Sequence, residues 1–279
     1  MIAGMITAPT RALFAVVKVV LGLAYAVPLA WIVVTSFKST TQVLTDPNGV
    51  VFAPTLDTYR EVVGEGAAAI VTSVQISVVV TVVVVALGVP AAFAAAERLH
   101  GGAARVIAVA LAGLLVLQMI PQPMTVIPLF SVLAQWGILN TLPGLILADV
   151  AVMLPFAIML LRPYAQDVPR ALYEAAVIDG AGPWRSFRSI TVPMMRNGVF
   201  TVASVVFINA WGEFVYAINL LPPGLVPPVS GLLASQNTTY AANWNGLMAL
   251  AVLTSLPLVV VFAVSQKRLI SGLSLGAVK

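Results

Sequence analysis

Six apolar runs, each close to the roughly 20 residues that a helix needs to cross a ~30 Å hydrocarbon core, constrain this chain more than any motif in it. They lie near residues 12–34, 70–94, 106–127, 142–162, 198–219 and 246–266. With 60% hydrophobic and only 9% charged residues among 279, one soluble core could not hide so much apolar surface. The predicted fold class is therefore all-α integral membrane, with about six transmembrane helices in one domain over 1–279.

The first run carries a competing reading. Arg11 and Lys18 precede Ala24-Tyr25-Ala26, a small-residue pattern like a signal-peptide cleavage site. The apolar residues continue from Val27 to Val34, so the segment is long enough to span, with Lys18 snorkelling to the nearer interface. Orientation follows from the basic residues. All of the 14 lysines and arginines except Lys38 and Arg60 fall on one side of the six runs, which predicts both termini in the cytoplasm. Asp46, Asp57, Glu61 and Glu65 make the first outer loop, 39–69, acidic.

Several chemistries are excluded at once. The chain has no cysteine and one histidine, so it has no thiolate or histidine-based metal centre and no cysteine nucleophile. His100, in a short polar stretch with Arg98 and Arg105, reads as a solvated turn residue. No Gly-x-x-x-x-Gly-Lys-Ser/Thr is present to cradle phosphates, and no Ser/His/Asp or His-Glu-x-x-His set exists. The net charge of +4 is spread thinly between apolar runs, which suits a membrane and not a nucleic acid. No catalytic residue, cofactor site or metal site is expected on this chain.

Between the fourth and fifth runs, residues 165–196 form a polar insertion with internal order. Asp167 can cap a helix whose first turn tolerates Pro169, and Leu172, Ala175, Ala176 and Ile178 bring small or apolar side chains to neighbouring faces. Asp179-Gly180 and Gly182-Pro183 supply a turn. Trp184, Phe187 and Ile190 then recur on one side, with Arg185 and Arg188 on the other, until Pro193 is expected to stop the second helix. From physics alone, docking to another protein and packing on its own bundle are equal readings.

A resemblance to a known family decides between them. Asp167-Val168-Pro169-Arg170-Ala171-Leu172, Glu174-Ala175-Ala176, Asp179-Gly180-Ala181, Phe187, Ile190 and Val192-Pro193 resemble the EAA loop of ABC importer permeases. Arg196 departs from the pattern, standing where many relatives carry a second proline. The resemblance covers nearly the whole chain and narrows to the maltose-type carbohydrate permeases, specifically the tail-bearing partner of a permease heterodimer. Pro28-Leu29-Ala30-Trp31, Ser36-Phe37-Lys38, Thr55-Leu56-Asp57-Thr58-Tyr59 and the stretch Thr72 to Ser77 with Thr81 carry it, as does the ending from Gln266 to Lys279.

The resemblance implies an ABC importer permease fold in a bacterial-type cytoplasmic membrane. Glu174, Ala175, Ala176, Asp179, Gly180, Trp184 and Phe187 would couple to an ATPase. Gly272, Ser274, Gly276 and Lys279, within the tail 266–279, would contact the ATPase pair. Partners would be a second permease subunit, two ATP-binding subunits that hold the ATP and magnesium, an extracytoplasmic solute-binding protein or lipoprotein, and a sugar-like solute.

Ionisable residues inside the membrane cost about 2.5–3.5 kcal/mol each at a helix centre, so Asp149 and Glu213 should face protein or water. Both fall in the outer part of their spans and could line one cavity or pair with neighbouring helices. Trp211-Gly212-Glu213-Phe214 resembles the family's Trp-Asn-Asp-Phe stretch, with Gly212 in place of the asparagine and Asn209 close by. Asp149, Asn209, Trp211, Glu213 and Gln118 are the candidate solute-pathway residues, and Trp136 reads as a weaker candidate or an interfacial anchor. The last outer loop, 219–245, is stiff around Pro222, Pro223, Gly224, Pro227, Pro228 and Gly231 and polar from Ser235 to Tyr240. It resembles the segment that probes the docked binding protein, with a simple cap over the outer mouth as the alternative. Asn237-Thr238-Thr239 matches a glycosylation acceptor that a bacterial importer would not use.

The rival function is a proton-coupled secondary transporter working through Asp149 or Glu213. No convincing internal repeat supports it. A membrane enzyme or scaffold has no constellation behind it.

Overall fold

The computed structural model describes residues 8–96, 102–222, 225–236 and 243–275, with side chains described at all of these except 8–12, 103 and 267–275. Every element among them is helical: α1 (Ala8–Ser36), α2 (Thr40–Thr45), α3 (Asp57–Ala96), α4 (Gly102–Gln118), α5 (Gln122–Gln135), α6 (Leu142–Gln166), α7 (Arg170–Ile178), α8 (Pro183–Ser186), a π-helical turn (Phe187–Thr191), α9 (Val192–Trp211), α10 (Val215–Leu220), α11 (Val229–Ser235) and α12 (Trp244–Leu275). Five stretches are long and apolar enough to span a membrane, and a bent pair brings the number to as many as six.

That bent pair corrects the third expected span. Instead of one helix over 106–127, α4 and α5 meet at 103° across Met119–Pro121. Pro121 and Pro123 lack the N–H groups that would carry the helix through, so the chain turns there. A second correction is the length of α3, which starts at Asp57 inside the expected outer loop and runs for 40 residues. Its first turns are amphipathic: Thr58, Val62, Gly66 and Ala69 are buried, while Asp57, Glu61 and Glu65 are exposed.

The chain divides into two compact units. The first comprises Met1–Ala67 and Leu233–Ser255. Here Asn245, near the start of α12, donates to Thr40 Oγ1 at 2.8 Å and Thr58 Oγ1 at 3.3 Å, joining three helices. Lys38 is buried with its ammonium on the carbonyls of Pro47 (2.7 Å) and Asp46 (3.4 Å) and over the rings of Trp31 and Phe52. Carbonyl dipoles and aromatic faces thus replace its water, and they pin the loop to the end of α1. The α1 span itself, unbroken through Ala24-Tyr25-Ala26, buries none of its most apolar window against this chain.

The second unit comprises Ala68–Leu232 and Leu256–Lys279. Its core is built from side chains at helical spacing: Ile76, Val80 and Val84 of α3, Ala157, Leu161 and Ala165 of α6, and Val202, Val206 and Ala210 of α9. Small residues let the helices approach closely, as membrane packing requires. At Gly198 of α9 an added Cβ would fall on Cγ of Tyr164, the root of the ring, which cannot swing clear. Gly198→Ala is therefore expected to destabilise the α6–α9 contact by about 1–3 kcal/mol, seen as a thermal midpoint several degrees lower for the purified assembly. An unchanged midpoint would mean that the two helices do not pack as described.

Candidate functional site

Most of the predicted site residues fall in two places, one at the loop between α6 and α9 and one at a helix break, both in the second unit. The loop begins where α6 ends. Asp167 is the C-cap of α6, not the N-cap of the next helix; Pro169 takes that place, its fixed backbone starting α7. Helix α7 ends in a Schellman turn. Gly180 adopts φ +74, its N–H donates to the carbonyl of Val177 at 3.0 Å, and the Ala181 N–H donates to that of Ala176 at 2.8 Å.

This turn sorts the predicted coupling residues. Glu174, Ala175, Asp179 and Gly180 are exposed, whereas Ala176 is buried. Val177 is 70% exposed, Ile178 86% and Trp184 71%, an unusual apolar display on a polar loop. Phe187 points the other way. It is half-buried, 5.3 Å from the ring of Phe93 on α3 and 5.4 Å from Trp184, with Tyr173 also 6.2 Å from Phe93. The Tyr173 hydroxyl bonds Thr191 Oγ1 at 2.8 Å. The loop is thereby joined to α3 by an aromatic chain and to the π turn by a hydrogen bond. Beside it opens a groove of about 660 Å³, walled by Phe93, Ala165, Asp167, Arg170, Tyr173 and Glu174.

Pro193 does not stop the second helix. The helical path runs unbroken from Pro183 to Trp211. The five π-helical residues before Pro193 make the difference: the Val192 N–H donates to the carbonyl of Phe187, five residues back, so the register has already shifted where Pro193 lacks a donor.

The second group surrounds Glu213, in the break between α9 and α10. Its carboxylate accepts from the N–H groups of Tyr216 (2.7 Å) and Ala217 (3.0 Å) and from Gln122 Nε2 of α5 (2.8 Å). It caps the N-terminal end of α10 and ties α5 to it; a bond between Thr125 and the Tyr216 hydroxyl repeats the tie one turn on. Asp149 of α6, 1% exposed, lies within electrostatic reach of Glu213, yet neither of its carboxylate oxygens meets a donor among the described residues. The two acids thus share one buried neighbourhood in unlike circumstances, and neither lines the groove beside the coupling loop.

The remaining candidates are scattered. Trp211 is buried and stacked on Phe207 at 6.0 Å. Asn209 is exposed, with its side chain on the Val205 carbonyl of its own helix. Gln118, the last residue of α4, donates to the Val152 carbonyl of α6 at 3.1 Å, and Trp136 is 63% exposed. Gly272 and Ser274 lie on α12, where side chains are not described. Gly276, Lys279, Arg98, His100, Pro223, Gly224, Tyr240 and the Asn237–Thr239 triplet lie outside the described residues. Sequence reasoning missed Val177, Gln122, Thr125 and Tyr216. The signal for Gln122 and Thr125 was two polar side chains just past Pro121 inside an apolar run.

Comparison with known proteins bears on the whole arrangement. Residues 88–274 match the family described as binding-protein-dependent transport system inner membrane component. A trehalose transport system permease protein of Mycobacterium tuberculosis is 32% identical, over 96% of this chain and 98% of the relative. A diacetylchitobiose uptake system permease protein of Streptomyces coelicolor is 32% identical over 90% and 83%. A trehalose/maltose transport system permease protein of Thermococcus litoralis is 30% identical over 96% and 97%. Among solved structures, a chain of a bacterial ABC transporter involved in the import of the acidic polysaccharide alginate superposes with a TM-score of 0.80, over 94% of this chain and 98% of that one, at 20% identity, and so shares the fold. No comparison supports proton-driven transport through Asp149 or Glu213. The chain belongs to the family of inner-membrane permease components of binding-protein-dependent ABC importers.

Proposed function

We propose that this permease forms half of the translocation path for a sugar or small glycoconjugate, pairing with a different six-helix permease over two ATP-binding subunits. An extracytoplasmic binding protein or lipoprotein would deliver the solute. The names of the relatives, which specify trehalose, diacetylchitobiose and maltose, support a carbohydrate. The one-sided distribution of lysine and arginine supports both termini, the coupling loop 165–196 and the tail 266–279 in the cytoplasm. The loops 39–69 and 219–245 would then face outward. The chain supplies path and coupling, and the ATP chemistry with its magnesium belongs to the partner ATPase.

One observation carries the reading: a polar loop that turns Val177, Ile178 and Trp184 to solvent while Ala176 and Phe187 anchor it inward. Such a surface suits a cleft on another protein. Glu174, Ala175, Asp179 and Gly180 would lie in that interface, and the chain of rings through Phe187 and Phe93 would carry its movement to α3. Tail residues Gly272, Ser274, Gly276 and Lys279 would brace the ATPase pair. In the second unit, Asp149, Glu213, Trp211, Asn209 and Gln118 remain the residues assigned to the solute path. Purification from native membranes in mild detergent tests the assignment. Recovery of a second permease, an ATPase with phosphate-binding motifs and a binding protein is expected; the chain recovered alone, still catalysing gradient-driven uptake in liposomes, would overturn it.

A further inference from the structure

At the end of a membrane-spanning helix, as within one, buried backbone groups freed by a break need new partners. The break at Gly212–Phe214 meets this demand in two ways. On its α10 side the N–H groups of Tyr216 and Ala217 are taken by the Glu213 carboxylate. Within the break itself the carbonyl of Glu213 accepts from the hydroxyl of Ser230, which comes not from the bundle but from α11 in the last outer loop.

Helix α11 is seated more deeply than a surface loop would be. Val229 and Leu232 are buried, and the first N–H of α11, that of Val229, donates to Ser73 Oγ of α3 at 2.8 Å. Pro227 and Pro228 precede it directly, so a displacement of the outer chain reaches α11 through a stiff connection. Glu213 in turn holds Gln122 of α5. One hydroxyl therefore connects the outer loop to a node that joins α5 and α10.

We propose that α11 is the element that transmits docking of the extracytoplasmic binding protein to the translocation path, with Ser230 as the positioning residue that acts through Glu213. This rests on the importer reading above. When α11 is seated, the break is capped and α5 and α10 are held together. When the docked protein draws the outer loop away, the Glu213 carbonyl loses its donor and the break becomes free to change its angle. Ser230 touches no solute in this scheme; it sets which arrangement of the break is stable, as allosteric coupling requires.

The test uses the whole transporter in nanodiscs, with the binding protein that co-purifies with it as the probe. ATPase activity is followed against binding-protein concentration. For Ser230→Ala, which lacks from the start the bond that docking would break, basal activity rises about fivefold toward the stimulated rate, at the lower end of typical coupling factors, and stimulation by binding protein falls in proportion. Ser230→Thr, which keeps the hydroxyl, restores the low basal rate. Ser73→Ala removes the other bond of α11 and raises basal activity in the same way. Basal activity and stimulation both unchanged in Ser230→Ala would overturn the relay. So would failure of both alanine variants to assemble, since the bonds would then be structural alone. If the unaltered complex shows no stimulation by its binding protein, the importer reading itself fails.

Discussion

Gly180→Val will lower uptake by the assembled transporter at least about tenfold while leaving its amount in the membrane unchanged. The reason is backbone and not space. Gly180 sits at φ +74, in the left-handed region, and nothing lies within 4 Å of where a Cβ would be. A β-branched residue there costs about 1–2 kcal/mol or more, and each 1.4 kcal/mol is a tenfold change in population. The Schellman bonds of Gly180 and Ala181 would give way, and Val177, Ile178 and Trp184 would no longer share one surface. Asparagine tolerates this region, so Gly180→Asn should keep most of the uptake. Gly182 supplies the control. It has φ −71 and equally open surroundings, so Gly182→Ala should behave as the unaltered protein. Transport and ATPase rates in proteoliposomes, set against membrane content, measure all three. Normal uptake with valine at 180 would remove the coupling role of the loop.

The contrast between those two glycines illustrates what a sequence discloses. Asp179-Gly180 at the end of a short amphipathic helix reads as a turn because only glycine enters the left-handed region freely, and the structure places a turn there. Span number was equally readable, since hydropathy averages over many residues. Bends were not. The averaging that finds a span near 106–127 is blind to Pro121 and Pro123, which divide it, and the five π-helical residues that let Pro193 pass depend on register rather than composition. The start of α3 was hidden for a related reason: Arg60, Glu61, Gly64 and Glu65 look like loop, although Thr58, Val62, Gly66 and Ala69 keep a helical period beneath them. Two acids in or beside apolar runs could be found from cost alone, but their difference in environment depends on Gln122 and on the start of α10, which the sequence does not place against them.

That difference makes opposite outcomes for two similar substitutions. Glu213→Leu leaves the N–H groups of Tyr216 and Ala217 and the Gln122 amide without their acceptor in a buried place. At about 1–3 kcal/mol for each stranded group, the loss approaches the 5–15 kcal/mol that holds a typical domain together. The variant is expected to fail to assemble. Glu213→Gln keeps one acceptor oxygen and turns an amide toward the remaining donors, so it assembles with a lowered thermal midpoint. Its ATP-driven uptake persists, whereas a carrier that moved protons through this residue would lose transport altogether. Among the described residues Asp149 has no donor to lose. Asp149→Asn removes a buried acidic group within electrostatic reach of a second one and is expected to leave the midpoint equal or higher. Thermal unfolding of the purified complex separates the pair. If Glu213→Leu melts with the unaltered protein, the clasp between α5 and α10 does not carry the stability assigned to it; if Asp149→Asn collapses the fold, that acid has a partner on another subunit.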